Sequence, residues 1–511
     1  MMKMMCLMYV KESRGMTVTI DKSSSISESS SLKRGLNLFD STAIVIGSMI
    51  GSGIFIVSSD IARTIGSPGW LLVTWIVSGL ITTMAALSYG ELAAMMPHAG
   101  GQYVYLRESF GKCIGFLYGW TLFTVIQTGT IAAVAVAFAK FSGVIFPIIS
   151  SSNWICMFGK LGPYTIGLNT ENLLAILVII FLSWINTRGL EAGKIIQNVF
   201  TVTKLIALFG LIVLGLTIGR NSETISLNLQ NFWDASWMHV HGDSFTLEKL
   251  SGIAILGAIG AGMVGSLFSS DAWNNITFTA GEVINPKKNI PLSLILGTSI
   301  VTLIYLLVNV VYLCVIPLHG DMNGSDVLSR GIQFAQNDRV ATAVLQVIFG
   351  SSGAVIMALL IMVSTFGCNN GIILSGARVY YAMANDGLFF NFAGSLNKQL
   401  VPKNALIMQC IWASVLCLSG TYGDLLDYVI FAVLIFYVLT ISGLFVLRRT
   451  KPDVERPYKV LGYPFIPGLY IVLASLISID LLIFKPRYTW PGLIIVLIGV
   501  PIYYLWSKKQ R

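Results

Sequence analysis

Residues 40–65 form an apolar stretch long enough to cross a bilayer, with an interruption written into its middle. The centre reads Gly47-Ser48-Met49-Ile50-Gly51-Ser52-Gly53-Ile54-Phe55, with three glycines and two serines in seven residues. Glycine weakens a helix by roughly 1 kcal/mol relative to alanine and offers no side chain to pack. Within hydrocarbon, unwound backbone persists only where protein or a watery cavity surrounds it, because every unpaired N–H or C=O is costly there. The interruption is therefore expected to face a site. A half-helix starting near Ser52 would aim N–H groups and a positive dipole end into that site, a setting suited to a carboxylate.

The remainder is equally apolar. Of 511 residues, 55% are hydrophobic and 11% charged, and the mean hydropathy is +0.76. That balance excludes a soluble globule and indicates an all-α polytopic membrane protein in a lipid bilayer. Apolar spans fall at 40–65, 69–96, 113–146, 170–187, 192–219, 251–281, 291–317, 341–384, 403–421, 424–449, 463–485 and 489–507, twelve in all. Each approaches or exceeds the ~20 residues that a crossing needs. With the N-terminus inside, 22 of the 33 basic residues lie in inner segments and eight in outer ones, so both termini are expected to be cytoplasmic. The net charge of +9 follows from that bias and implies no nucleic-acid partner.

Residues 1–36 are Ser-rich and polar, and a disordered tail is expected there. The apolar start, Met1 to Val10, leads into this tail rather than into a small-residue cleavage pattern, so no cleaved signal peptide is expected, and Met16 is an alternative start. Seven cysteines lack CxxC spacing, which indicates neither a metal site nor a disulfide framework. Cys156, in an outer loop, is expected as a free thiol in preference to a disulfide with a partner chain.

Along the chain, four features carry chemistry. Glu91, in Tyr89-Gly90-Glu91-Leu92, sits at a membrane edge and reads as a solvated or salt-bridged gate residue ahead of a proton carrier. Lys204 lies about mid-membrane in the fifth span, where a lysine is costly and implies a partner inside the bundle. The sixth span carries Phe268-Ser269-Ser270-Asp271-Ala272-Trp273, a second interruption with an acid in it. The eighth contains Gly367-Cys368-Asn369-Asn370-Gly371, which suits a cavity lining, and ends near Arg378, expected to snorkel to the interface. His239, His241 and Asp243 form a pattern more consistent with surface polarity than with a metal site. Gly257, Gly260, Gly262 and Gly265 are explained by close helix packing. Two interrupted spans in corresponding halves point to a transporter's midplane site, and five spans per half make the repeats inverted. No nucleophile, acid/base or metal constellation suggests an enzyme, and no cofactor is indicated.

The Gly47–Phe55 run, Tyr89-Gly90-Glu91-Leu92 with Pro97 and Gly100-Gly101, Phe268 to Trp273 with Glu282-Val283-Ile284-Asn285-Pro286, Gly371 with Arg378, Tyr381 and Gly387, and Glu455-Arg456-Pro457-Tyr458-Lys459 together resemble the amino-acid/polyamine/organocation transporters. Within that superfamily the chain is similar to the L-type amino-acid transporter branch, including its bacterial exchangers. The resemblance implies a LeuT-type fold: a first five-helix repeat over 37–219, an inverted second repeat over 251–449, and peripheral helices eleven and twelve over 463–507. It implies that backbone around Ser48, Met49, Gly51, Ser52 and Gly53 holds a substrate carboxylate, that Met49, Phe268 and Asp271 lie where carbonyls receive the α-amino group, and that Ser269 also belongs to the substrate-binding set. Phe268 matches an aromatic that closes over substrate, and Gln127 and Cys368 would line the side-chain pocket. Lys204 matches a lysine standing where sodium-coupled relatives hold their ion. The implied function is sodium-independent exchange of neutral L-amino acids across the plasma (inner) membrane, without a heavy-chain partner. A proton-coupled amino-acid or amine permease using Asp271 or Glu91 is the alternative.

Overall fold

The computed structural model describes residues 32, 34–161, 164–241, 244–418, 422–484 and 486–509. The expected tail over 1–36 lies almost wholly outside them, as do Asp243 and the link between the ninth and tenth spans. Span one is two helices, α1 (Leu38–Met49) and α2 (Gly53–Ile65). Asn37 starts α1 in a capping box with Asp40, each accepting from the other's backbone N–H. There follow α3 (Pro68–Met95), α4 (Gln102–Phe110), α5 (Lys112–Thr121), α6 (Gln127–Ile145), α7 (Thr170–Asn186), α8 (Leu190–Thr217) and α9 (Ser222–Gln230). The second half holds α10 (Ile253–Ser269), α11 (Asn275–Phe278), α12 (Pro286–Val315), α13 (Val327–Arg330), α14 (Val340–Asn385), α15 (Lys403–Cys417), α16 (Tyr422–Thr450), α17 (Phe465–Phe484) and α18 (Pro486–Lys509).

Among the described residues nine helical segments are long and apolar enough to cross a membrane, counting α1 with α2 and α5 with α6 as one each. Three shorter apolar helices, α7, α10 and α15, accompany them. Together they fall on the stretches picked out by hydropathy. The bundle is built around α12, which packs on α1 and α3, and around α14, which packs on α6 and α8, while α2 lies along α10. The α2 and α10 axes approach closely because Gly265 presents no side chain to Val57.

Four features depart from the hydropathy reading. The eighth span is not one rod: α14 turns at Gly350, whose φ of 64° and ψ of −149° are non-helical, so a 46-residue stretch too long for one crossing is divided. The third span carries one π-helical turn, Leu122–Ile126, directly before Gln127. The outer loops are not simple coil but antiparallel hairpins, β1 (Trp154–Leu161) with β2 (Tyr164–Asn169) and β3 (Ser236–His241) with β4 (Ser244–Lys249). Cys156 is exposed on β1, and His239 pairs with Glu248 across the second hairpin at 3.1 Å.

Arg378 is the fourth, and it corrects the snorkelling expectation. It is 1% exposed and forks onto Glu282, itself 1% exposed, with both N···O distances 3.0 Å. Snorkelling yields here because a bidentate carboxylate satisfies the guanidinium inside the protein. The backbone carbonyl of the same Glu282 accepts from Gly35 and Leu36 N–H, fastening the start of span one to the end of span six. The indole of Trp506 in α18 donates to Gly387 O, just past the end of α14, so the described residues 34–36 and 506 lie on the face where α14 ends, called here the terminal face. Removing one partner of such a pair strands the other as a buried charge, at about 3–5 kcal/mol. Arg378→Ala should therefore melt far below the parent in detergent, and Arg378→Met with Glu282→Met should recover much of the loss. A single variant that melts with the parent would refute a structural role for the pair.

Candidate functional site

A helix that stops in the middle of a membrane leaves its last carbonyls without intrahelical donors. At the end of α1 each of these is met from another span or from the break itself. Gly47 O accepts from the Lys204 ammonium at 2.9 Å, and Ile50 O accepts from it at 2.7 Å. Ser48 O accepts from the Cys368 thiol at 3.0 Å. Met49 O accepts from the Tyr305 hydroxyl at 3.0 Å and from Gly51 N–H at 2.8 Å. Ser364 Oγ donates to Ile50 O at 3.1 Å. The third Lys204 proton goes to Ser364 O at 2.9 Å, so α8 is pinned simultaneously to α1 and α14. Lys204 is 1% exposed. Its charge is met by carbonyl dipoles and the negative end of α1, and no carboxylate among the described residues pairs with it.

Across the break, α2 begins at Gly53 behind Ser52, which is in the αR region and provides no side-chain cap. Phe55 N–H closes back onto Ser52 O at 3.1 Å, which leaves Gly53 and Ile54 N–H without intrahelical acceptors at this end, with the positive end of the α2 dipole behind them. Gly53 is required for another reason: a Cβ there would stand 2.7 Å from Ser269 Cβ and 3.0 Å from Ser269 Cα. The two interruptions therefore touch. Tyr305 bridges them, its hydroxyl also lying 2.9 Å from Ser269 O.

The second interruption runs from Ser270 to Asn274. Ala272 has φ of 63°, a left-handed conformation that a non-glycine residue holds only under restraint. Asp271 is buried and accepts from the Tyr437 hydroxyl at 2.6 Å. Asn274 Nδ2 donates to Gln102 Oε1 at 2.9 Å, and Gln102 Nε2 donates to Thr440 at 3.1 Å. A narrow, partly open cavity with room for about one water molecule lies here, lined by Asp271, Asn274, Asn275, Gln102, Gln127 and Tyr437 among others. Trp273, next in the chain to Ala272, packs against Tyr89 and Tyr437 at ring separations of 4.8 and 5.3 Å.

Of the residues singled out from sequence, Ser48, Met49, Gly51, Ser52, Gly53, Ser269, Cys368 and Lys204 gather around the first interruption. Phe268 is buried in the last turn of α10. Asp271 and Gln127 border the cavity, with Gln127 Nε2 donating to Ile372 O at 2.7 Å. Cys368 does not border it; its thiol is spent on Ser48 O. Glu91 is elsewhere, fully buried towards the terminal face, where Arg448 forks onto it at 2.8 and 2.6 Å and Val460 N–H donates at 2.8 Å. Tyr305, Ser364 and Tyr437 escaped the sequence reading. Their only signal is a polar tip in an apolar span, and a buried tyrosine hydroxyl usually finds a partner.

With this geometry in hand, comparison with known proteins is informative. Residues 36–503 match the family model described as amino acid permease. The chain is 30% identical over 502 residues to b(0,+)-type amino acid transporter 1 of Homo sapiens, covering 94% of this chain and 91% of that one. It is 30% identical over 485 residues to large neutral amino acids transporter small subunit 2 of Oryctolagus cuniculus, covering 94% and 82%. It is 28% identical over 489 residues to Asc-type amino acid transporter 1 of Mus musculus, covering 95% and 84%.

The contact between the interruptions is open to direct test. Gly53→Ala overpacks against Ser269, at about 1–3 kcal/mol, and should lower the melting temperature measurably. Adding Ser269→Gly opens the space and should restore it, whereas equal melting of parent and Gly53→Ala would mean that the two segments are not in contact.

Proposed function

The chain belongs to the amino acid permease family, whose members are membrane-embedded transporters rather than enzymes, and from that premise we propose that it is a sodium-independent exchanger of neutral L-amino acids working by alternating access. The observation that carries this reading is the Lys204 ammonium in its cage of three carbonyls. An ammonium held this way does what a bound alkali cation would do for the end of α1, and its charge repels a second cation at the same place. The α2 N-terminus then serves the substrate carboxylate, with Ser48, Met49, Gly51, Ser52 and Gly53 around it. The carbonyl end of α10, with Phe268, Ser269 and Asp271, serves the α-amino group. Met49 O already accepts from Gly51 N–H and Tyr305, so the amine's share of that carbonyl is gained by displacing Tyr305.

We assign twelve crossings in the LeuT-type arrangement, with repeats at 37–219 and 251–449 and peripheral helices over 463–507. The interruptions fall in the first and sixth crossings, and five crossings per repeat invert the second relative to the first. The contiguous packing of α1, α2, α3, α10 and α12 supports a rocking bundle of spans one, two, six and seven. Basic residues concentrated on the terminal face support cytoplasmic termini and a plasma (inner) membrane location. Glu91, clamped by Arg448, acts as a gate residue in this scheme. One relative is named as a small subunit; this chain is proposed to work without a heavy chain, and a single-chain mass for active purified protein checks that.

Two experiments decide the main reading. In proteoliposomes, uptake of a radiolabelled neutral amino acid should be equal in sodium and choline buffers and accelerate when vesicles are preloaded with amino acid. Lys204→Ala strands Gly47 O at about 1–3 kcal/mol, leaves Ile50 O with Ser364 Oγ alone and uncovers the negative end of α1, so uptake per folded molecule should fall by roughly tenfold or more. Wild-type flux in that variant would dispose of the role. Asp271, beside the cavity, favours one second reading, a proton-coupled amino-acid or amine permease. Uptake driven by an imposed proton gradient and lost in Asp271→Asn would establish it in place of exchange.

A further inference from the structure

Opposite the terminal face, an open groove runs along the first turns of α14. Its walls include Arg330, Arg339, Thr342, Gln336, Gln346 and Asp326. Here α14 starts at Val340 behind Arg339, which makes no capping bond, so the first-turn N–H groups and the positive dipole end meet the groove wall. Two donors beside them have no hydrogen-bond partner although both are buried: Arg339 Nε and Thr342 Oγ1, the latter on a residue only 6% exposed. Arg339 places one other nitrogen on Lys140 O at 2.6 Å, and Arg330 Nε donates to Gly324 O at 2.7 Å. Neither guanidinium has a carboxylate within salt-bridge distance among the described residues, unlike Arg63, which binds Asp338 at 2.8 Å. The one acid in the lining, Asp326, is spent as the cap of α13, accepting from Ser329 N–H at 2.8 Å. The other charges nearby are Glu171, which faces Arg339 and Lys140 without an ion pair to either, and Asp338, which is held by Arg63.

A cluster of guanidiniums, an uncapped helix start and a buried hydroxyl without partner shares one chemical complement, a group with several acceptor oxygens and negative charge. We infer that this groove is an oxyanion site, taking a phosphate or carboxylate group from a lipid headgroup or from a free ion. The site is separate from the substrate cavity and does not depend on the transport reading. It adjoins the moving part all the same: Arg339 follows Asp338, whose carboxylate accepts from Arg63 and Ser59 of α2.

The test uses the full-length purified chain with inorganic phosphate as probe, read by thermal shift and calorimetry at constant ionic strength. Phosphate should stabilise the protein saturably where chloride does not, and Arg330→Gln with Arg339→Gln should weaken the effect by roughly tenfold or more. Thr342→Val, which leaves both guanidiniums in place, should weaken it by a smaller factor, so the site stays testable should the double variant fold poorly. Vesicles of phosphatidylglycerol that compete with phosphate, where phosphatidylcholine vesicles do not, would identify a lipid headgroup as the occupant; no competition would identify a free ion. No saturable effect of phosphate or anionic lipid, or equal binding by parent and Thr342→Val, would overturn the inference.

Discussion

The structure depends on how a helix is allowed to end inside a membrane. Ending α1 at Met49, inside the buried bundle, leaves carbonyls without intrahelical donors, and the protein answers with four side chains from three other spans: Lys204, Tyr305, Ser364 and Cys368. The lysine carries most of this because one ammonium has three protons and each finds a carbonyl. A hydroxyl would satisfy one acceptor, and any neutral donor would leave the negative end of the α1 dipole uncompensated. The same bonds explain why a charge can sit at that depth without a carboxylate. Its partners are dipoles, and they are partners the break could not do without.

Once α1 is secured, the two halves of span one are anchored separately. α1 is held from the α8 and α14 side, while α2 packs along α10 and meets Ser269 through the missing side chain of Gly53. Tyr305 belongs to both, since one hydroxyl lies within bonding distance of a carbonyl from each interruption. With a single proton it satisfies one of them at a time, so the other carbonyl keeps acceptor capacity. The terminal face is held by a different kind of bond: Arg378 on Glu282 and Arg448 on Glu91, both bidentate and both joining distant parts of the sequence. Carbonyl cages in the middle and ion pairs at the edge divide the labour between shaping a site and closing a face.

What the sequence made legible was local. Glycine and serine in an apolar span, an acid among small residues, and a lysine far from either membrane edge are each visible within ten residues, and each marks a place where hydrocarbon would be intolerable without help. The helpers were not legible. The acceptors of Lys204 lie 154, 157 and 160 positions away, and Asp271 finds Tyr437 across 166. Arg378 was misread for the same reason. Its distance from the membrane edge is a sequence property, whereas Glu282 lies 96 residues back and is brought near only by the fold. The Gly350 turn and the outer hairpins were missed because hydropathy measures how apolar a stretch is, not where its backbone bends.

The signs of the helix ends complete the physical case for the proposed substrate. Three ends meet near the interruptions: α1 and α10 bring carbonyls, and α2 brings N–H groups. Left alone, two negative ends would face one positive end, and a zwitterion's carboxylate would be repelled by the surplus. Lys204 cancels the α1 end, reducing the set to one positive and one negative, with Asp271 bonded to Tyr437 beside the latter. That remaining pair is the electrostatic image of an amino acid's backbone, indifferent to its side chain. On the proposed reading, selectivity among amino acids then comes from elsewhere, and it is assigned to the cavity wall formed by Gln102, Gln127 and Asn274, polar but uncharged.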